Sequence, residues 1–350
     1  MVNEIFILAL TVVFIALLRW GFKTLPGENW QIIASMPISR DESGIWKGVN
    51  LTYYGLFSAN AYVAAISIML ILMGTIKVPL IGIFTTIVTI LLICVPASRF
   101  IARIVEKKSH TFTIGGASFL GILIAPWIPL FINMTVGAKM GYYIPQIPAL
   151  AAFIISYAFG EGIGRLACIS FGCCYGKPLS RSHNLIQKLF HNYCFMFSGK
   201  TKKIAYESGL DGVKVVPIQA ITAVLYITTG IIGTSLFLKS YYITAFIMTV
   251  IVTQAWRSFS EVLRADYRGG RKISIYQIMA IIAIGYSLGI IPFLPSASTI
   301  ETGITVGLLS LWNPAVIFFS LGLWFAIFLY TGRSTVTGST VTFHVYKDRI

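Results

Sequence analysis

The chain has 350 residues, 56% of them hydrophobic and only 11% charged, with a mean hydropathy of +0.81. Soluble domains carry roughly 25% charged residues, so a length that could supply two soluble domains instead builds one membrane bundle. The formal charge of +15 then reflects contact with the membrane surface and anionic phospholipid, and nucleic acid is not an expected partner.

Charge-free runs recur along the chain, at 5–18, 48–76, 78–98, 111–138, 140–160, 215–238, 240–256, 273–300 and 302–332. Most reach the ~20 residues that a helix needs to cross a hydrocarbon core of ~30 Å. Backbone groups there have no water to bond, so helices are expected, and the runs lack the alternation of a transmembrane barrel. The expected fold is therefore all-α, a polytopic integral membrane helical bundle of about nine spans. The first run is short and has Glu4 beside it with no basic start, so it reads as a retained anchor and not as a cleaved signal. The organisation expected is an anchor span and polar linker over 1–50, a membrane domain over 51–295, and a further span with a polar tail over 296–350.

One polar insertion interrupts the membrane domain at 177–214. It holds His183, His191, seven lysines and arginines, and only Glu207 and Asp211 as acids. It is too short for a domain and reads as a cap over a membrane cavity. Asn313-Pro314 should kink or split the last span, and Thr340 to Tyr346 alternates like a strand. Counting loops alternately, 24 basic residues fall on one face, Lys107, Lys108 and Lys272 among them, and three (Lys77, Lys139, Lys239) on the other. The positive-inside rule puts the basic face, with the insertion, in the cytoplasm.

Two constellations carry chemistry. The first is Phe159-Gly160-Glu161-Gly162-Ile163-Gly164-Arg165, continuing to Phe171-Gly172-Cys173-Cys174-Tyr175-Gly176-Lys177-Pro178. Its glycines admit close approach, and Glu161 and Arg165 share one helical face. Charged residues at membrane depth are expensive and are usually paired and functional. The second is Arg257-Ser258-Phe259-Ser260-Glu261 with Arg264, Asp266 and Arg268-Gly269-Gly270. Arg257, Glu261 and Arg264 fall on one face, and a guanidinium fork suits phosphate. The five cysteines form no C-x-x-C pair and no disulfide framework. Cys173-Cys174 reads as small packable residues in a tight turn, because no Cys/His spacing supports zinc. No metal and no cofactor is expected. His110, His183, His191 and His344 read as solvated.

Taken in order, these residues resemble the prolipoprotein diacylglyceryl transferases. The landmarks are Tyr53-Tyr54-Gly55-Leu56, then Gly115-Gly116-Ala117-Ser118-Phe119-Leu120-Gly121, then Gly164-Arg165 through Gly176-Lys177-Pro178. Pro217-x-Gln219, Arg257-x-x-x-Glu261 with Arg264-Ala265-Asp266, and Ser274-x-x-Gln277 follow, so the resemblance covers about 51–292. It implies a multi-pass enzyme of the bacterial plasma membrane that moves a diacylglyceryl group from phosphatidylglycerol, or a similar anionic phospholipid, to a prolipoprotein cysteine thiol. It assigns phosphate binding to Arg165 and Arg257, orientation of Arg257 to Glu261, and head-group contact to Tyr54. Gly164, Gly176 and Arg264 fall at further substrate-binding positions. The resemblance also implies that the insertion lies outside, against the charge bias, and we follow it here.

Three positions depart from the pattern. The expected histidine is Leu120, an asparagine is Cys168 and a glutamate is Cys173. The phosphate half is intact and the thiol half altered, which leaves Glu161, raised in pKa by burial, as the expected replacement base. A paralogue with another acceptor, and a non-catalytic lipid-binding or transport protein on the same scaffold, remain alternatives.

Overall fold

The charge-free runs become helices because each satisfies its own backbone in hydrocarbon. The computed structural model describes residues 1–105, 114–267, 273–295 and 303–350. His110, Lys107, Lys108, Arg268-Gly269-Gly270 and Lys272 lie outside the described residues. In chain order the elements are α1 (Val2–Thr24), β1 (Ile32–Arg40), β2 (Trp46–Thr52), α2 (Tyr53–Thr75), α3 (Leu80–Val105), α4 (Ile114–Ile124), α5 (Trp127–Ile132), α6 (Ala138–Met140) and α7 (Gln146–Phe171). There follow α8 (Asn184–Phe190), β3 (Phe195–Met196), α9 (Lys203–Ser208), β4 (Lys214–Val215), α10 (Ile218–Leu238), α11 (Tyr242–Leu263), α12 (Ile275–Ile290), α13 (Ile304–Ser310), α14 (Pro314–Gly332) and β5 (Arg333–Val341). The protein is a polytopic helical membrane protein.

Among the described residues, seven helices are long and apolar enough to cross a membrane, or eight if a pair bent by 54°, Ile114–Ile124 with Trp127–Met140, is one broken span. By length and composition alone α11 is the least apolar of the nine runs, yet it returns to the side on which α10 begins, as the contacts of Lys177 with Leu263 and of Gly176 with Arg264 show. It is 22 residues long, but its second half carries Thr253, Gln254, Arg257, Ser258, Ser260 and Glu261. Asn313-Pro314 splits the last run as expected. The Asn313 side chain caps α14 by accepting from the Ala315 amide at 2.9 Å, and the proline takes the first turn, where no donor is needed.

The polar linker and the tail are not separate appendages. Antiparallel β1, β2 and β5 form one sheet, with β2 in the centre. The strand in the tail is Arg333–Val341 and not Thr340 to Tyr346, and residues 48–52 of the second charge-free run belong to β2. Thr52 Oγ1 donates to the Gly332 carbonyl at 2.9 Å. A Cβ on Gly55 would stand 2.2 Å from the Gly332 Cα, so only glycine permits this crossing of α2 and α14.

Helix α7 is the centre of the bundle. In its most apolar stretch 78% of residues are buried, against 17% in α1 and 11% in α14. Its glycines explain how it is surrounded. A Cβ on Gly160 would meet Ala65 of α2 at 2.9 Å, and one on Gly162 would meet Ile227 of α10 at 2.7 Å. Small residues on opposite faces thus let two helices approach one backbone. The first span packs here too, with Phe14 stacked on Phe159 at 5.3 Å.

The insertion folds over the end of α7 and over residues 25–31. Gln31 Nε2 donates to the Thr201 carbonyl at 2.6 Å, and the Ser198 amide to the Pro26 carbonyl at 3.2 Å. Lys202 is fully buried beneath it. Its ammonium donates to the Ser170 carbonyl at 2.7 Å and the Leu25 carbonyl at 3.2 Å, at the negative end of α7 where a cation is favoured.

Burial pulls the Lys202 ammonium down to about 8 from an ordinary 10.5. The unfolded chain therefore binds more protons between those values, and stability contributed by this group rises with pH across that window. The cost of burying the charge is complete below about pH 8. The melting temperature of the purified protein should rise from pH 8 to 10.5 relative to that of Lys202→Met. Parallel pH profiles for the two proteins would contradict this account.

Candidate active site

Three residues of α7, Tyr157, Glu161 and Arg165, follow one another at four-residue spacing and so share one helical face. Glu161 is 4% exposed and Arg165 8%. Arg165 Nη2 donates to Glu161 Oε1. From α11, Arg257 Nη2 reaches the same oxygen at 3.2 Å and the Tyr157 hydroxyl at 2.8 Å. Room for Arg257 comes from α4, because a Cβ on Gly115 would stand 3.1 Å from its Nη1.

One carboxylate thus holds two guanidinium groups, and Glu261 acts electrostatically on Arg257 from one turn further along α11. The Nε atoms of Arg165 and Arg257 are buried without a hydrogen-bond partner among the described residues. Buried donors without acceptors are rare, and here both belong to cations. Two guanidinium groups with donors to spare can take an anion.

Beside the cluster lies a cavity of about 280 Å³ between α2, α3, α4 and α7. Most of its wall is apolar, from Ile66, Met69, Ile87, Leu91, Leu150 and Phe153 among others. Its polar atoms come from Tyr54, Ser58, Tyr62, Ser118, Ser156, Tyr157 and Glu161. Gly164 also lines it, while the Tyr54 ring rests on Phe171 at 5.5 Å. Of the cluster, Tyr157 and Glu161 line this cavity, and the two arginines lie behind them.

The remaining expected residues take other places. Glu261 pairs with Arg264 at 3.8 Å and also acts electrostatically on Arg257, whose direct carboxylate contact, at 3.2 Å, is Glu161. Arg264 donates a fork of two bonds to Asp266, at 2.8 and 2.7 Å, which anchors the turn after α11. Gly176 lies in an extended segment between the end of α11 and the start of α10. It bridges Arg264, and a Cβ on it would stand 2.3 Å from the Val216 carbonyl oxygen. It is a glycine because backbone passes on that side. Leu120 is half-buried, and it is Ser118 of that segment that lines the cavity.

Glu161 was expected as a base in an apolar pocket. Its Oε1 accepts from both arginines. Tyr157 escaped the sequence reading, although its i, i+4, i+8 relation to Glu161 and Arg165 was present there. The cysteines also differ from expectation. Cys168, Cys173 and Cys174 converge, with their sulfur atoms all within 4.8 Å of one another.

The family model described as prolipoprotein diacylglyceryl transferase matches residues 44–293. No curated protein matches the chain.

Removing one partner from a buried ionic cluster typically costs about 3–5 kcal/mol, whereas replacing the whole cluster by apolar residues of similar volume is often neutral. Glu161→Leu should therefore destabilise the protein by about that amount. Adding Arg165→Met and Arg257→Met to it should recover most of the loss. Unfolding by detergent titration measures both, and a Glu161→Leu protein as stable as the parent would refute the shared-carboxylate account.

Proposed function

Because the chain belongs to the prolipoprotein diacylglyceryl transferase family and is a membrane transferase, we propose that its donor is phosphatidylglycerol and its acceptor a prolipoprotein cysteine thiol, in the bacterial plasma membrane. The observation that carries this reading is the buried pair of arginines, each with an Nε donor to spare, beside an apolar cavity. The phosphodiester would sit on Arg165 and Arg257, with an acyl chain in the cavity and the Tyr54 hydroxyl toward the head group.

The charge balance explains why arginines suit this step. A thiolate attacks the glycerol carbon that bears the phosphate. A C–S bond forms, the C–O bond breaks, and its electrons stay with the departing glycerol phosphate. The phosphate goes from one negative charge to two, so guanidinium groups aimed at it bind the transition state more tightly than the substrate. Glu161 and Tyr157 hold the arginines at their spacing. Arg264, Glu261, Gly164 and Gly176 act here as positioning residues. Transfer to another acceptor is the second reading, favoured by Leu120 where the resemblance calls for histidine.

Arg165→Ala and Arg257→Ala should each lower turnover of labelled phosphatidylglycerol at least 100-fold in protein that still folds. Lysine at either position should restore little, since it lacks the fork. Near-normal turnover in both alanine proteins would sink the phosphate assignment.

We also place the insertion on the outer side of the membrane. Of the basic residues on its face, Arg165 and Arg257 belong to the site and Lys202 to a buried helix-end contact, so they do not report on orientation. A reporter inserted after the exposed Asn192 should be active only in its exported form. Activity of a cytoplasm-only reporter there would reverse the assignment.

A further inference from the structure

The end of α7 explains why three cysteines meet. Gly172 leaves the helix in the left-handed conformation, φ +72°. Its amide bonds to the Ile169 carbonyl at 3.2 Å, and the Cys173 amide bonds back to the Cys168 carbonyl at 3.0 Å. These two bonds are the paired closure of a Schellman end, and they fold Cys173 over Cys168. Cys174 follows with φ +57°, a conformation that a residue with a Cβ adopts only at a cost. It brings the Cys174 sulfur to 3.9 Å from that of Cys168. Gln219 Nε2 holds the turn from α10 by donating to the Cys173 carbonyl at 2.8 Å. The strained residue therefore serves the convergence of the thiols.

The 3.9 Å between the Cys168 and Cys174 sulfurs is the spacing of two ligands on one ion, and all three sulfurs lie within 4.8 Å of one another. Two thiolates on one zinc ion, each at about 2.3 Å, stand about 3.8 Å apart at the tetrahedral angle, whereas sulfurs joined in a disulfide stand about 2.05 Å apart. Three thiolates also leave one tetrahedral position open, which is the ligand count of a catalytic and not a structural site. Cys168 is buried, but Cys173 and Cys174 are only partly so, and a fourth ligand has access. Tyr54 lies within electrostatic reach of all three and also lines the cavity, so the thiols adjoin the place assigned to the donor.

We propose that Cys168, Cys173 and Cys174 bind a zinc-class divalent cation whose fourth position receives the acceptor cysteine thiol and activates it as the nucleophile. The site stands on its own geometry, while the identity of the fourth ligand rests on the transferase reading above. It supplies what the thiol half lacks, since Leu120 replaces the expected histidine and Glu161 is bound to two arginines. A coordinated thiol is deprotonated outright, so its proton passes to water when it binds and no residue is needed as base. The bound sulfur then gives an electron pair to the glycerol carbon, and the C–O electrons leave with the phosphate. The thioether formed is neutral and a weaker ligand, which frees the metal for the next thiol.

The test is a metal analysis of the full chain purified without chelator, followed by cobalt(II) substitution. One zinc per chain is expected, and the cobalt form should show sulfur-to-cobalt charge-transfer absorption. That spectrum should shift when a peptide with a lipobox cysteine is added, and should not shift with its serine counterpart. Cys168→Ser and Cys174→Ser should each weaken binding at least tenfold, while Cys194→Ser, in the insertion, should not. The parent protein and its spectrum carry the test even if a serine variant misfolds. A metal-free parent protein, or one with Cys168 and Cys174 joined as a disulfide, would overturn the site. Cobalt binding with no response to the thiol peptide would overturn the role of the fourth position. Full transfer from labelled phosphatidylglycerol by chelator-stripped protein would remove the metal and leave the transferase standing. A loaded site that responds to the thiol peptide without any transfer would do the reverse.

Discussion

Two guanidinium groups share one carboxylate inside an apolar bundle, and much of the surrounding architecture follows from the need to hold them there. A charged side chain at membrane depth costs several kcal/mol unless it is paired. Here two guanidinium groups meet on one carboxylate, with Glu261 acting on Arg257 from the same helix. The most buried helix carries two of the three charges, where water has least access to screen them. The third comes from α11, whose polar second half makes it the least apolar of the long helices.

The small residues around this cluster have one purpose in common. Gly160 and Gly162 bring α2 and α10 against α7, and Gly115 leaves space for the guanidinium of Arg257. Gly176 lets the chain leaving α7 run between the ends of two other helices. A methyl group would meet the Ala65 and Ile227 side chains at Gly160 and Gly162, the Tyr276 and Arg257 side chains at Gly115, and the Val216 carbonyl at Gly176. Tight backbone packing and a buried ionic cluster are thus one arrangement, since loosening the first lets water reach the second.

The helices were legible because lipid demands long charge-free runs, and the arginine constellations because charge inside such runs stands out. The sheet was not legible. Its strands come from a polar linker and a polar tail nearly three hundred residues apart, and local periodicity carries no information about such pairing. Tyr157 was passed over because one tyrosine in a span is ordinary, and its meaning depends on Arg257 arriving from another helix. Glu161 was found, but its surroundings were not, because burial and ionic partners both occur in membranes and only geometry separates them. The cysteines at 168, 173 and 174 match no ligand spacing read along the chain, since their meeting depends on the reversal at Gly172.

The central position of β2 has a consequence for how the chain comes to its final form. One edge of β2 pairs with β1, which precedes it closely, while the other pairs with β5, made after everything else in the sheet and the bundle. Until residues 333–341 emerge, that edge has unpaired donors and acceptors, and the face of α2 that will receive α14 at Gly55 is open to lipid. Closure is therefore a late event in synthesis, a zipper drawn from the far end of the chain, and an unfinished molecule offers any passing strand a free edge.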